Sequence, residues 1–230
     1  MPFYFFWDNT FLLLIPAILI SIIAQAKISS AFHKYAQIDS ERGIQAQSAA
    51  EVVLASGGLD HISIEHISGT LSDHYDPHRQ VIRLSDSVYQ SSSIAAIAVA
   101  AHEAGHALQH AQRYVPLKLR GALLPVVQLA SNLAFPLLLA GILFGLADLA
   151  YIAAIAFGAV FLFQLVTLPV EFNASRRALH ALESQRILER QEIAGAKKVL
   201  SAAALTYVAA TLTALLQFVR FLLLANRRRN

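Results

Sequence analysis

Long apolar stretches separated by short polar ones dominate the pattern of this chain. A helix needs about 20 apolar residues to cross a bilayer. Four stretches approach that length and predict transmembrane helices at about residues 3–26, 122–146, 149–170 and 200–225. A polar break at Ala147 and Asp148 separates the middle two, which predicts a two-helix hairpin. The first stretch has no basic start and no small-residue cleavage site, which favours a retained anchor over a removed signal peptide.

The remaining segments, 27–120 and 171–198, are polar enough to lie in water and are expected to carry the catalytic parts. Residues 45–56 have helical periodicity, and Gly57 with Gly58 predicts the end of this short helix. Further along, polar and apolar residues alternate twice, with turn residues between the two runs. We therefore expect a small β-hairpin or edge-strand element, with strands at 61–65 and 81–84.

The composition favours a membrane protein and limits the kind of metal site. Hydrophobic residues make up 56% of the chain and the mean hydropathy is +0.52, whereas a soluble domain is roughly half apolar or less. Cysteine is absent, so any metal must be held by histidine and carboxylate. The pI is near 9.3, but the basic residues flank apolar stretches, and we predict no nucleic-acid partner. The expected fold is a mainly α-helical, integral membrane domain spanning residues 1–230.

One short motif carries chemistry. His102-Glu103-Ala104-Gly105-His106 lies in the apolar run 94–108, which is expected to be helical and to begin at Ser91-Ser92-Ser93. One helical turn separates the two histidines, so both project from one face and can hold one Zn²⁺. Glu103 lies beside them, where a carboxylate can take a proton from water at the metal. The motif therefore predicts one catalytic Zn²⁺ per chain.

A catalytic zinc requires a third protein ligand. His110 follows the motif by one turn, but the face of a straight helix drifts by about 40° for every four residues. We therefore expect His110 beside the ligands or at the surface; Gln109 and Gln112 also replace the glycine and histidine of the metzincin pattern. Glu171 ends the long apolar block, and the predicted hairpin returns it to the side of the motif. The residues alone leave Glu171 as a ligand or as a helix-cap carboxylate after Pro169.

Three segments together resemble a known family: Asp73–Pro77, His102–His110 and Leu165–Ser175. They are similar to the YugP-type neutral zinc metallopeptidases of bacterial membranes, and the resemblance covers nearly the whole chain. More distantly, the chain is similar to the heat-shock protease HtpX and the CAAX prenyl proteases. In those relatives a glutamate of a later helix follows H-E-x-x-H.

The resemblance implies a gluzincin-like site in which His102, His106 and Glu171 are the zinc ligands. The chain departs from those relatives at Ser175, where they have aspartate. Asn173, or a carboxylate elsewhere in the chain, is therefore expected to orient a ligand in place of that aspartate.

The predicted function is a zinc-dependent membrane endopeptidase that hydrolyses peptide bonds near the membrane surface, with Glu103 as its catalytic base. His74 and Tyr75 are candidate contacts for the substrate or the transition state. The expected partners are the lipid bilayer and a protein or peptide substrate, itself membrane-associated; no oligomeric state is indicated. The alternative is a catalytically inactive zinc-binding membrane scaffold or regulator. A transporter is disfavoured, because the predicted spans offer only Arg220 and, near the outer end of the first span, Asp8 as charged residues.

The distribution of positive charge predicts the orientation in the membrane. The resemblance implies a bacterial inner membrane, and basic residues near short loops stay cytoplasmic. Four crossings would then leave the arginine tail outside, against the same rule. Either the majority of charges decides, or the last apolar run does not fully span. The majority flanks the catalytic side, which is therefore expected to be cytoplasmic: Lys27, Lys34, Arg113, Lys118, Arg120, Arg176, Arg177, Lys197 and Lys198.

Overall fold

A computed structural model describes residues 9–70 and 72–226. The described chain is mainly helical with one small sheet, which confirms the predicted fold class. A 3₁₀ helix precedes the first α-helix at Asn9–Leu14. The regular elements that follow are α1 (Ile15–Ala36), α2 (Ala46–Ser56), β1 (Ser63–Ile67), β2 (His74–Asp76), β3 (Val81–Ser85), α3 (Ile94–Ala111), α4 (Val115–Leu143), α5 (Ala147–Ser184) and α6 (Arg190–Asn226).

Four helical segments are long and apolar enough to cross a membrane: Asn9–Ala36, Val115–Leu143, Ala147–Ser184 and Arg190–Asn226. They contain the described parts of the predicted spans except residues 144–146, because α4 ends at Leu143; residues 3–8 of the first span lie outside the described residues. Many of their large apolar side chains are exposed, among them Leu12, Leu129 and Leu162. Apolar side chains pointing outward suit helices whose surroundings are lipid.

Helix α5 continues well beyond the predicted end of its span. We expected a polar return over 171–198, but the helix extends to Ser184. Glu171 therefore lies inside a helix, and its interpretation as a helix-cap carboxylate is wrong. The reason is a buried stripe with helical spacing, which gives α5 a packing face although its other residues become polar. The stripe comprises Val170, Ala174, Ala178 and Leu182, all fully buried.

The chain folds as two compact units. One unit comprises Ala26–Leu117 and Val170–Leu205. Its core combines α2, the sheet, α3 and the adjoining parts of α5 and α6, with Leu54, Ile82 and Ile97 fully buried. The other unit comprises the described parts of Met1–Gln25 and Thr206–Asn230 together with Lys118–Pro169. It has a separate core that includes Leu138, Ala154 and Phe221.

The sheet has the strand order β1-β3-β2. Strands β2 and β3 form an antiparallel hairpin in which Tyr75 faces Ile82. The two strands predicted from alternation, β1 and β3, are instead parallel, with Ile64 opposite Ile82. The segment 72–77, predicted to be a turn, therefore contains the strand β2. Alternation identifies a half-buried strand but carries no information about its neighbour or its direction.

Helix α3 begins where the serines predict, and it approaches α5 closely. The Oγ of Ser93 accepts a hydrogen bond from the backbone N–H of Ala96 at 3.2 Å, which satisfies one of the free donors of the first turn. Later in the helix, a Cβ added at Gly105 would lie 2.6 Å from the carbonyl oxygen of Ala174 on α5. Glycine at position 105 is thus what lets the two helices pack backbone against backbone.

Replacing this glycine tests the close packing. We expect Gly105→Ala to lower the free energy of unfolding by about 1–3 kcal/mol, as overpacking does elsewhere, because a main-chain carbonyl cannot rotate away from the new methyl group. Denaturation of the detergent-solubilised protein would measure the change. Gly121→Ala is the matched control, since a Cβ there meets no atom within 4 Å. Equal stability of the two variants would contradict the packing described.

Candidate metal centre

Two histidines of α3 and one glutamate of α5 converge on a single point. The Nε2 atoms of His102 and His106 lie 3.2 Å and 3.6 Å from Oε2 of Glu171. The two imidazole rings meet edge to face, with centroids 4.8 Å apart. One potential ligand atom from each of the three residues falls within 4.8 Å of the others. The described residues contain one such group with three or more His, Cys, Asp or Glu side chains, and it is this one.

The chemistry of this group fits a catalytic zinc ion. Two imidazole nitrogens and one carboxylate oxygen form a ligand set that Zn²⁺ uses when its fourth position stays open. Glu171 is only 2% exposed, and a buried carboxylate is costly unless charge or hydrogen bonds compensate it. The ligand atoms that face one another are the Nε2 atoms, because a different partner engages the Nδ1 atom of each ring.

The partners of the Nδ1 atoms come from both helices. Ser175 Oγ of α5 lies 3.1 Å from Nδ1 of His102, so the serine itself contacts the ring that another residue was expected to orient. Gln109 Oε1 of α3 lies 3.0 Å from Nδ1 of His106. Asn173, expected in this role, makes its contact one step further away, accepting a hydrogen bond from Gln109 Nε2 at 3.0 Å.

Gln109 is a functional candidate that was not predicted from the sequence, where it appears only as a departure from the glycine of the metzincin pattern. Its side chain is fully buried, which is unusual for a glutamine without a structural task. The signal in the sequence is its spacing: Gln109 follows His102 by seven residues and His106 by three, so all three share one helix face.

Glu103 lies in the same unit as the ligands, with its carboxylate held by strand β2. The backbone N–H of Tyr75 donates a hydrogen bond to Oε2 of Glu103 at 3.0 Å. Burial raises the pKa of the Glu103 carboxyl above its ordinary value, while the neighbouring His102 and His106 act to lower it. A carboxylate with a raised pKa is a better proton acceptor, as a general base requires.

The other predicted site residues occupy the surroundings of this base. The Tyr75 hydroxyl lies 2.9 Å from Nδ1 of His110, so His110 contacts the tyrosine and is not a member of the metal-binding group. His74 precedes Tyr75 on β2, and its Nδ1 donates to the carbonyl oxygen of Ser72 at 2.8 Å. Tyr75 thus contacts Glu103 through its backbone and His110 through its ring.

Comparison with known proteins identifies the family. Residues 10–226 match the family model described as "Putative neutral zinc metallopeptidase". The chain belongs to this family. It is also 47% identical over 212 residues to "Putative membrane protease YugP" of Bacillus subtilis (strain 168), an alignment that covers 92% of this chain and 94% of that protein. No solved structure matches the chain.

Family membership confirms the resemblance and settles the coarse function. The chain is a membrane-associated member of a zinc metallopeptidase family, whose activity requires a peptide or protein substrate. Zinc is the cofactor of such a protein, and the His-His-Glu group offers a site for one ion.

The assignment of Glu171 as third ligand predicts a loss of zinc affinity. Glu171→Ala should weaken binding by more than the roughly 10–100-fold that loss of an orienting hydrogen bond costs, because a ligand itself is removed. Chelator competition would measure the affinity, and metal analysis should give one zinc per wild-type chain. Glu183→Ala on the exposed side of α5 is the control. Wild-type affinity in Glu171→Ala would show that another group completes the site.

Proposed function

We propose that this protein is a zinc-dependent endopeptidase that cleaves peptide bonds close to the membrane surface. In this proposal His102, His106 and Glu171 hold the ion, and Glu103 is the general base. The observation that carries the proposal is the buried carboxylate of Glu103 beside the three ligands, with one oxygen held by the Tyr75 N–H at 3.0 Å. A zinc site with a purely architectural task would have no use for a buried base of this kind.

The roles of the residues follow from their positions. Zinc bound at this site would supply a Lewis acid, which polarises a carbonyl and lowers the pKa of bound water towards about 7. Glu103 accepts a proton from the attacking water and delivers it to the amine nitrogen as the C–N bond breaks. The water oxygen ends on the carbonyl carbon, so the products are a carboxylate and an amine. The Tyr75 N–H orients Glu103 and thereby couples the base to strand β2.

Strand β2 is also the proposed guide for the substrate. In the order β1-β3-β2 it lies at an edge of the sheet, and an extended peptide can bind by adding a strand to such an edge. Contact through Tyr75 connects this edge to Glu103. His74 and Tyr75, on this strand, are the proposed contacts for the substrate or the transition state.

The substrates proposed are membrane proteins or segments that reach the membrane. In the sequence, Glu171 follows the predicted span 149–170 directly and belongs to the same helix, Ala147–Ser184. A ligand that close in sequence to an apolar span favours a site where water meets lipid.

Removing the base while keeping its shape tests the mechanism. Glu103→Gln should retain zinc and lose at least about 100-fold in the rate of peptide hydrolysis, since general acid–base catalysis contributes roughly 10²–10⁴-fold. The measurement is cleavage of a peptide library by the purified protein, with zinc content determined in parallel. Glu51→Gln, an exposed position on α2, should leave both unchanged. Undiminished hydrolysis by Glu103→Gln would exclude Glu103 as the base, whereas zinc binding without cleavage by the wild-type protein would favour the scaffold alternative.

The proposed orientation places the catalytic side in the cytoplasm of a bacterial inner membrane. The chain has no cysteine, so single cysteines can be introduced without removing any. We expect Lys198→Cys to react with an impermeant reagent only after permeabilisation, and Asp148→Cys to react in intact cells stripped of their outer barrier. Reversed labelling would overturn the orientation. Asn230→Cys reports on the last span: labelling only after permeabilisation would contradict four full crossings.

A further inference from the structure

A relay of hydrogen bonds, formed by Gln109, Asn173 and Arg177, leads away from His106 across the two helices of the site. Gln109 Oε1 lies 3.0 Å from His106 Nδ1. The Nε2 of the same glutamine donates to the carbonyl oxygen of Val170 at 2.7 Å and to Oδ1 of Asn173 at 3.0 Å. Arg177, one turn further along α5, donates from Nε to the same Oδ1 at 2.7 Å.

The chemistry of these groups allows only one arrangement of donors and acceptors along the relay. A guanidinium has donors only, so the atom of Asn173 that faces Arg177 must be its oxygen. That oxygen and the Val170 carbonyl both accept, so the atom of Gln109 that faces them must be its nitrogen. The oxygen of Gln109 therefore faces His106, whose Nδ1 must donate. A neutral imidazole that donates from Nδ1 carries its lone pair on Nε2, which is the atom facing Glu171.

We propose that Gln109, Asn173 and Arg177 are positioning residues that preset His106 as an Nε2 ligand, with Arg177 acting through Asn173 and Gln109. This inference rests on the proposed function, because it takes His106 to be a zinc ligand. Arg177 also donates from Nη1 to Gln112 Oε1 at 2.7 Å, which ties the end of α3 to the same guanidinium. The arginine thus fixes both the orientation of the relay and the helix that carries it.

Among the described residues, His102 has no comparable set of directed hydrogen bonds. Its partner, Ser175, is a hydroxyl that can either donate or accept, so it constrains the position of the His102 ring without choosing its tautomer. Of the two histidine ligands in this proposal, His106 is therefore preset in its tautomer and His102 is adaptable. Removing the serine hydroxyl should cost less zinc affinity than removing the glutamine amide.

Zinc affinity of the full-length, detergent-solubilised protein tests the relay without relying on activity. Gln109→Leu should weaken zinc binding by about 10–100-fold, the usual cost of removing a ligand's hydrogen-bond partner. Arg177→Met should cause a smaller loss, since the Val170 carbonyl still orients Gln109. In the Gln109→Leu background, Arg177→Met should cause a smaller loss than it causes in the wild type, because residues that act through one another are not additive; what remains is the loss of the contact between Arg177 and Gln112. Arg42→Met, which removes a 3.1 Å ion pair with Glu189, should leave zinc affinity unchanged.

Two substitutions of similar size at Asn173 distinguish the effect of hydrogen-bond direction from the effect of packing. Asn173→Asp keeps the accepting oxygen and should retain most of the zinc affinity, whereas Asn173→Leu should lose affinity. The pair also decides the matter if Gln109→Leu fails to fold. Equal affinity in these two variants, or additive losses in the Gln109 and Arg177 double variant, would overturn the relay.

The control for the proposed function is His106→Ala. If that variant keeps wild-type zinc affinity, the ligand assignment itself is wrong. If it loses zinc while Gln109→Leu does not, the ligand assignment stands and the relay is wrong.

Discussion

The close contact between helices α3 and α5 is the constraint on which the rest of the site depends. His102 and Glu171 are 69 residues apart in the sequence, yet their ligand atoms must meet within the reach of one ion. Gly105 lies between the two histidines and faces the backbone of Ala174, which lies between Glu171 and Ser175. A glycine at this one position thus lets three candidate ligands and the hydroxyl of Ser175 come together from two helices.

Charge balance follows from the same packing. Glu103 and Glu171 are both buried, and two buried carboxylates repel each other unless a positive charge lies between them. A divalent ion matches their combined formal charge. The groups that hold the imidazoles, Ser175 and Gln109, are neutral, so they orient the rings without adding charge. A hydroxyl at Ser175 keeps that balance, because it holds the His102 ring without adding a negative charge.

Local patterns in the sequence predicted local structure well. Ser93 starts α3, Gly57 and Gly58 follow α2, and the predicted spans are helical where the structure describes them, apart from residues 144–146. The parallel pairing of β1 with β3 was beyond reach, because pairing is decided by tertiary packing. The polar end of α5 was misread because polarity reports exposure to water and not the end of a helix. The regular four-residue spacing of Val170, Ala174, Ala178 and Leu182 is the sequence feature that indicates a continuing helix.

The residues of the candidate site also differ in whether local sequence or tertiary packing identifies them. H-E-x-x-H gives two candidate ligands and a candidate base because their spacing lies within one helix, whereas Glu171 required the hairpin argument and the resemblance to a family. Spacing places Gln109 on the same helix face as His102 and His106, but its role and that of Arg177 could not be found from the motif, because they depend on hydrogen bonds that cross from α3 to α5. A buried polar residue on a ligand-bearing helix face is the general signal for such a role.

Diffraction at the zinc absorption edge would test the central claim most directly, since anomalous scattering locates the ion without reference to activity. The account predicts one zinc peak per chain, within bonding distance of Nε2 of His102, Nε2 of His106 and the carboxylate of Glu171. A peak bound through an Nδ1 atom, a peak held by His110, or a zinc ion that leaves Glu171 outside its ligands would contradict it.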